Sequence, residues 1–182
     1  MHKIEADIGI INNSKGSSMF KCANTTVICT VDINNRHEQS KSELYDQLNL
    51  DIKYRNINQQ SYDVYYTLII TNILNRCLLN FDKCKSLFIS LIIDSNNYNT
   101  LWCAINALFL GLVECGVPLK EVLYATSGFT NKEDVFIFNR SGDIVWHHAF
   151  GDIKDIEMPA VLKFYKYVKE IQDFSFKSKL VI

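Results

Sequence analysis

The chain has 182 residues, 48% of them apolar and 21% charged, with a net charge of −1. That length and balance predict one globular domain, residues 1–182, with a substantial core. A charge so near zero supplies no global field for nucleic acid or an anionic membrane, so RNA contact must come from local patches or partners. Six cysteines occur without a CxxC pair, mostly in apolar surroundings where a buried free thiol is common. The opening MHKIEADIGI has no long hydrophobic stretch, so no secretory signal is expected, and a reducing compartment suits the thiols.

Glu5–Ile11 alternates Ala6, Ile8 and Ile10 as a half-buried strand, followed by a turn at Asn12–Gly16. Ser17–Cys22 and Thr25–Ile33 predict two more strands of an antiparallel meander, the second with the strongest β-propensity in the chain. Asn34–Leu44 is polar and mixed in sign, the pattern of an exposed loop. Leu48–Arg55 sets Leu48, Leu50, Ile52 and Tyr54 against Asn49, Asp51, Lys53 and Arg55, which places Lys53 and Arg55 together on a wet face. A helix is expected over Ser61–Asn80, with Ser61 as N-cap, Asp63 in the first turn and Val64, Leu68, Leu74 and Leu78 among its apolar positions.

Leu87–Ile93 is a short apolar run rich in Ile that ends at Asp94, the pattern of a strand covered on both faces. After a turn at Ser95–Asn97, Asn99–Cys115 is apolar almost all round, which predicts a helix inside the protein. Its length, the central Asn106 and the Gly116–Pro118 stop argue against a membrane span. Beyond Pro118, Val122–Thr126, Asp134–Phe138 and Ile144–Phe150 predict strands, the last two joined by a hairpin turn at Asn139–Gly142. A helix is expected from Met158 to Phe174, with Val161, Phe164, Tyr165, Val168 and Ile171 inward, then a tail with a last strand at Leu180–Ile182.

The candidate chemistry is sparse. Adjacent strand residues point to opposite faces, so His147 and His148 are poor ligands for one ion, and no metal site is expected. His37 sits in the polar loop, and Cys77 and Cys84 lack a second pair at ligand spacing. Asp94, between a strand and a buried helix, is placed equally well for a base or a turn cap. No GxGxxG, GxxxxGK[ST] or GxSxG occurs. Lys53 with Arg55, or Lys83 with Lys85, could touch phosphate or form a solvated face; Lys163, Lys166 and Lys169 form the outside of the last helix.

Several of these stretches resemble the RNase PH family. Glu5-Ala6-Asp7-Ile8-Gly9 to Gly16-Ser17-Ser18, followed by Asn24–Val31, is similar to its opening meander. Cys103–Ala107 through Leu112–Pro118 is similar to its central helix, A-x-x-x-A-L-x-D-A-G-I-P. Glu43-Leu44 to Gln47–Ile52 resembles the subunits that form the ring of the eukaryotic RNA exosome. The resemblance covers about residues 5–118. It implies an α/β (α+β) RNase PH-like fold, a mixed sheet with a β-α-β-α core of the ribosomal protein S5 domain 2-like type.

It also implies partners: other RNase PH-like ring subunits, cap proteins, RNA threaded through the ring and a separate 3′-to-5′ exoribonuclease. rRNA processing, a location in nucleus, nucleolus and cytoplasm, and no cofactor follow from the same resemblance. Active members place an Arg with Ser or Thr near the start of the central helix and Asp residues on a later strand. Here the first stretch is Tyr98-Asn99-Thr100-Leu101-Trp102, without a cation, and Asp134 and Asp143 fit no matching pattern. The expectation is a non-catalytic ring wall whose RNA-contacting residues are Lys53 and Arg55. The alternatives are an active phosphate-dependent exoribonuclease and an unrelated small-molecule enzyme on a similar α/β frame, for which the sequence offers no site.

Overall fold

A computed structural model describes residues 3–35, 49–58, 62–79, 85–95, 100–128, 134–148 and 158–180, and these described residues form three helices and two sheets. The first sheet contains β1 (Ile4–Ile8), β2 (Gly16–Cys22), β3 (Thr25–Asn35), β4 (Asn49–Asn56) and β5 (Lys85–Asp94) in the order β1-β2-β3-β5-β4. Only the β4–β5 pair is parallel, so the sheet is mixed as expected. β1 stops at Ile8, short of the expected Ile11, where Gly9 takes a φ of 65° that turns the chain. β3 runs past Ile33 because Asn34 finds a partner in Ser86; the rest of the predicted loop lies outside the described residues.

Between β4 and β5 runs α1 (Asp63–Cys77), and after β5 comes α2 (Thr100–Glu114). Every residue of α2 from Thr100 to Leu112 is buried, as its unbroken apolar character predicts. One side packs on Phe20, Val27 and Val31 of the first sheet; the other meets the second sheet and the last helix. Trp102 stands edge-on to both Phe20 and Phe164, at 5.6 Å between ring centres in each case. The helix ends in a Schellman motif: Gly116, at φ 72°, donates to the Val113 carbonyl, and Val117 to that of Leu112.

The second sheet is β6 (Tyr124–Ser127), β7 (Val135–Phe138) and β8 (Ile144–His148), antiparallel throughout, with the expected turn at Asn139–Gly142. It is followed by α3 (Met158–Leu180). The predicted tail is corrected here, because the helix continues six residues past Phe174 and takes up Leu180. Ser175 anchors this extension by donating to the Ala6 carbonyl of β1 at 2.9 Å, which ties the helix to the first sheet.

Two further expectations change. β5 is covered on one face only: Leu87, Ile89, Leu91 and Ile93 are buried, whereas Phe88 and Ile92 remain 37% and 43% exposed. A short apolar run cannot tell one cover layer from two, and here α2 lies on just one side. On α1 the expected Leu74 and Leu78 are buried, together with Ile69, Ile70, Ile73 and Cys77, whereas Val64 and Leu68 are 86% and 58% exposed. Tyr62 is the N-cap and contributes no side-chain cap; Ser61 lies outside the described residues.

Candidate nucleic-acid interface

Lys53 and Arg55 lie on β4, an edge strand, and both are exposed. The two-residue period aims them outward while Tyr54 and Asn56 point into the protein and are buried. Across the parallel ladder Lys53 stands opposite Ser90 and Arg55 opposite Ile92. Acids crowd this pair: Asp51 shares its face, and the Arg55 guanidinium pulls down the carboxyl of Asp63, which burial pushes up more strongly. The Asp63 carboxylate also accepts from the Asn56 backbone at 3.4 Å. The structure therefore joins Lys53 and Arg55 into one small cationic spot on a sheet edge rather than a continuous basic groove.

Asp94 is exposed at the end of β5, where its carboxylate accepts from Asn58 Nδ2 at 2.9 Å. Beneath it the Thr25 and Ser95 hydroxyls are hydrogen-bonded at 2.7 Å and buried. Thr100 opens α2, buried beside the Tyr54 hydroxyl, whose pKa burial raises. The described surroundings of this strand-to-helix junction are thus hydroxyls and a single partnered carboxylate, with no described cation.

The strand that follows the central helix, β6, has the sequence YATS and carries no carboxylate. Its Ala125 clamps Asn106 instead. The amide of Asn106 donates to the Ala125 carbonyl at 2.8 Å, and its oxygen accepts from the Ala125 N–H at 2.9 Å and from Gln172 at 2.7 Å. Asp134 is buried just before β7, while Asp143 is held in the hairpin turn by Asn139 Nδ2 at 3.1 Å. The two acids sit on different segments and do not form a strand pair.

The histidines separate as predicted. His147 stacks on Phe136, and His148 lies against Trp146 and Tyr65. Among the described residues no group of three or more His, Cys, Asp or Glu could hold a metal ion. Burial pushes the thiols of Cys22 and Cys77 up to about 11, which marks them as inert packing groups rather than nucleophiles. Lys163 and Lys166 lie on the exposed side of α3, and Lys169 donates to the Arg140 carbonyl at 2.7 Å. His37, Lys83, Cys84, Tyr98 and Asn99 lie outside the described residues.

Two surfaces escaped the sequence reading. One is the outer face of the first sheet, where Phe88 and Ile92 join Met19 and Ile28 beside Arg55; the alternation inside Leu87–Ile93 was its only local signal. The other runs from Tyr62, Val64, Tyr65 and Leu68 on α1 to a groove of about 630 Å3 whose walls include Ile73, Arg76, Val145 and Trp146. Among the described residues no helix is long and apolar enough to cross a membrane.

Comparison with known proteins follows the same division of the chain. Residues 1–118, from β1 to the end of the α2 stop, match the model of domain 1 of the 3′ exoribonuclease family, RNase PH. A curated relative, the exosome complex component RRP41 homolog of Arabidopsis thaliana, is 25% identical over 152 residues, covering 76% of this chain and 63% of that protein. The chain therefore spans less than two thirds of that relative's length. Among solved structures, rice (Oryza sativa) Rrp46 superposes with a TM-score of 0.75 at 17% identity, covering 97% of this chain and 93% of the rice chain. A chain of an archaeal exosome core superposes with a TM-score of 0.70 at 10% identity, covering 95% and 86%. At these identities the structural matches establish the fold, and that fold includes the β6–β8 sheet and α3.

Proposed function

The chain belongs to the RNase PH, or 3′ exoribonuclease, family, and on that premise we propose that it is a non-catalytic wall of an RNA exosome ring. Residues 1–182 act in this reading as a single domain. Its neighbours are other RNase PH-like subunits, with cap proteins above the ring and RNA passing through it to a separate 3′-to-5′ exoribonuclease. The work served is RNA degradation and rRNA processing, in nucleus, nucleolus and cytoplasm. The names of the Arabidopsis relative, an exosome complex component, and of the archaeal exosome core support the assembly.

The observation that carries the non-catalytic half is the lack of a cation along Tyr98–Trp102 and among the described residues of the strand-to-helix junction. Phosphorolysis brings inorganic phosphate against a phosphodiester, so two anions must be held together, and catalysis consists largely of supplying positive charge for them. Tyr98–Trp102 offers no cation, and β6 offers no carboxylate to organise a proton or a metal. Asp94 has its own partner in Asn58. The family description favours one competitor, an active phosphate-dependent exoribonuclease. A phosphorolysis assay with single-stranded RNA separates the two: no phosphate-driven release of nucleoside diphosphates is expected from the isolated chain, and robust release would overturn the non-catalytic reading.

RNA contact is assigned to Lys53 and Arg55 as a modest local term, since two cations neutralise at most about two phosphates. Reversing both, K53E with R55E, is expected to lower RNA crosslinking to the assembled ring. Unchanged crosslinking would remove the assignment. Native mass spectrometry of the tagged protein from its own cells tests the assembly itself: one copy in a heteromeric particle supports it, and a homohexamer supports the enzyme.

A further inference from the structure

Two local devices build the groove between α1 and β8. Along α1 the helical period sets Ile69, Asn72, Ile73 and Arg76 on one side, and all four line the groove. Opposite them β8 carries a bulge: Ile137 pairs with Trp146 and Phe138 with Ile144, which leaves Val145 as the extra residue. A bulge breaks the two-residue alternation of a strand and re-aims its side chains. Val145 and Trp146, neighbours in sequence, therefore both line the groove instead of pointing to opposite faces.

At about 630 Å3 the groove is of a size that takes one small organic group. Ile69 and Ile73 wall one side and the half-buried Trp146 indole the other. His148 stacks on that indole at 6.0 Å between ring centres and 16° between planes, and Tyr65 backs His148 at 6.1 Å, so the indole is held as a platform. The rim carries the exposed amides of Asn72 and Asn75, which both donate and accept. Arg76 is exposed near the end of α1, and Lys120 is exposed beside Glu121. Burial and then the Glu121 carboxylate push the Cys77 thiol up, while Lys120 and Arg76 pull it down, so these three charges converge on one wall. Two cations there outnumber one acid.

An apolar slot with a flat aromatic wall, amides along its rim and cations at its mouth is the complement of a nucleotide. The heterocycle stacks, its N–H and C=O groups pair with the amides, and the phosphate meets the cations. An apolar side chain of a protein partner would leave both amides and the guanidinium unanswered. We propose that the groove between α1 and β8 holds one nucleotide of a single-stranded RNA, its base stacked on Trp146 and its phosphate at Arg76. Glu121 repels the phosphate and accepts from a base N–H, so the base edge is turned towards it. The site uses neither Lys53 nor Arg55 and needs no ring neighbour, since every group belongs to one chain.

The test is the fluorescence anisotropy of a dye-labelled single-stranded RNA of about 10 nucleotides, titrated with the purified full chain to about 300 µM. W146A is expected to weaken binding about tenfold or more, whereas W146F, which keeps an aromatic face, stays within about threefold of wild type. R76E, at an exposed position where folding is not at stake, is expected to lose about tenfold. R76A lowers the slope of log affinity against log salt by about 0.7, a change that a purely structural role for Arg76 does not produce. The same W146A loss is expected when K53E and R55E are also present, which separates this groove from the β4 contact. Adenosine monophosphate is expected to compete only weakly. Competition as strong as that of the oligonucleotide would transfer the groove to free nucleotides and overturn RNA as its occupant. A wild type that binds no RNA in that range, or W146A or R76E binding as tightly as wild type, would overturn the proposal.

Discussion

α1 and α2 are both fifteen residues long, and both carry apolar side chains around much of their circumference. In α2 thirteen consecutive residues are buried; in α1 only five are. The difference lies in what surrounds them. α2 is held between two sheets and α3, so every direction is a core direction. α1 lies on β4 at the margin of the first sheet and shows Val64, Tyr65 and Leu68 to the outside. A helix with apolar residues all round is thus either a core or a surface awaiting a neighbour, and composition does not say which. On the proposed assembly, the exposed side of α1 is where a ring neighbour gains apolar area.

The hardest blow to the α2 side of this contrast comes at its closest backbone approach. A Cβ added to Gly16 would lie 2.4 Å from the Gly111 carbonyl oxygen and 2.5 Å from Cys115 Cβ. G16A must therefore push β2 off the helix and is expected to lose about 3 kcal/mol or more in urea denaturation. Gly111 is less confined, with Cys29 Sγ at 3.2 Å, and G111A should fall below that loss. Next in size is N106L, which strands the Ala125 N–H and carbonyl and the Gln172 amide inside the protein. A loss of about 2–4 kcal/mol is expected, and a stability within 0.5 kcal/mol of wild type would show that the Asn106 bridge does not hold α2 to β6 and α3.

Alkali should expose the buried thiols more gently. An unfolded chain gives up thiol protons from about pH 8.5, whereas Cys22 and Cys77 hold theirs until about 11. The folded state therefore binds more protons in that window, so stability is full below about pH 8.5 and declines as pH rises towards 11. Urea midpoints measured across that range check the sign, and slow alkylation of the native thiols checks the cause. The smallest effect belongs to α1: V64S with L68S should change monomer stability by less than about 0.5 kcal/mol, because both side chains are already exposed. The same pair is expected to weaken ring assembly, and normal incorporation would place the neighbour elsewhere.

Much of the candidate interface was legible locally. Period-two alternation put Lys53 and Arg55 on one exposed face, and adjacency put His147 and His148 on opposite faces. The absence of a phosphate-binding cation in Tyr98–Trp102 was equally plain. What no local pattern carried was the company these residues keep. Arg55 meets Ile92 only because β4 joins the sheet parallel to β5, and Asp7 falls in the same row only through three more registers. Those partners are separated by tens of residues, so their alignment is a property of strand pairing.

The sequence by itself determined the periodicities: the meander of β1 to β3, the burial of α2, and the stop at Gly116 and Pro118, where a left-handed φ suits glycine. Those features depend on residues a few positions apart, whose spacing dictates which sides of an element are apolar. Tertiary structure alone decided which apolar sides were covered. It left Phe88 and Ile92 open because helices pack on one face of the sheet, turned α1 onto Ile69, Ile70 and Ile73, and carried α3 on to Leu180, with Ser175 bonded to β1. Periodicity names the faces that can be buried, and the arrangement of layers selects among them.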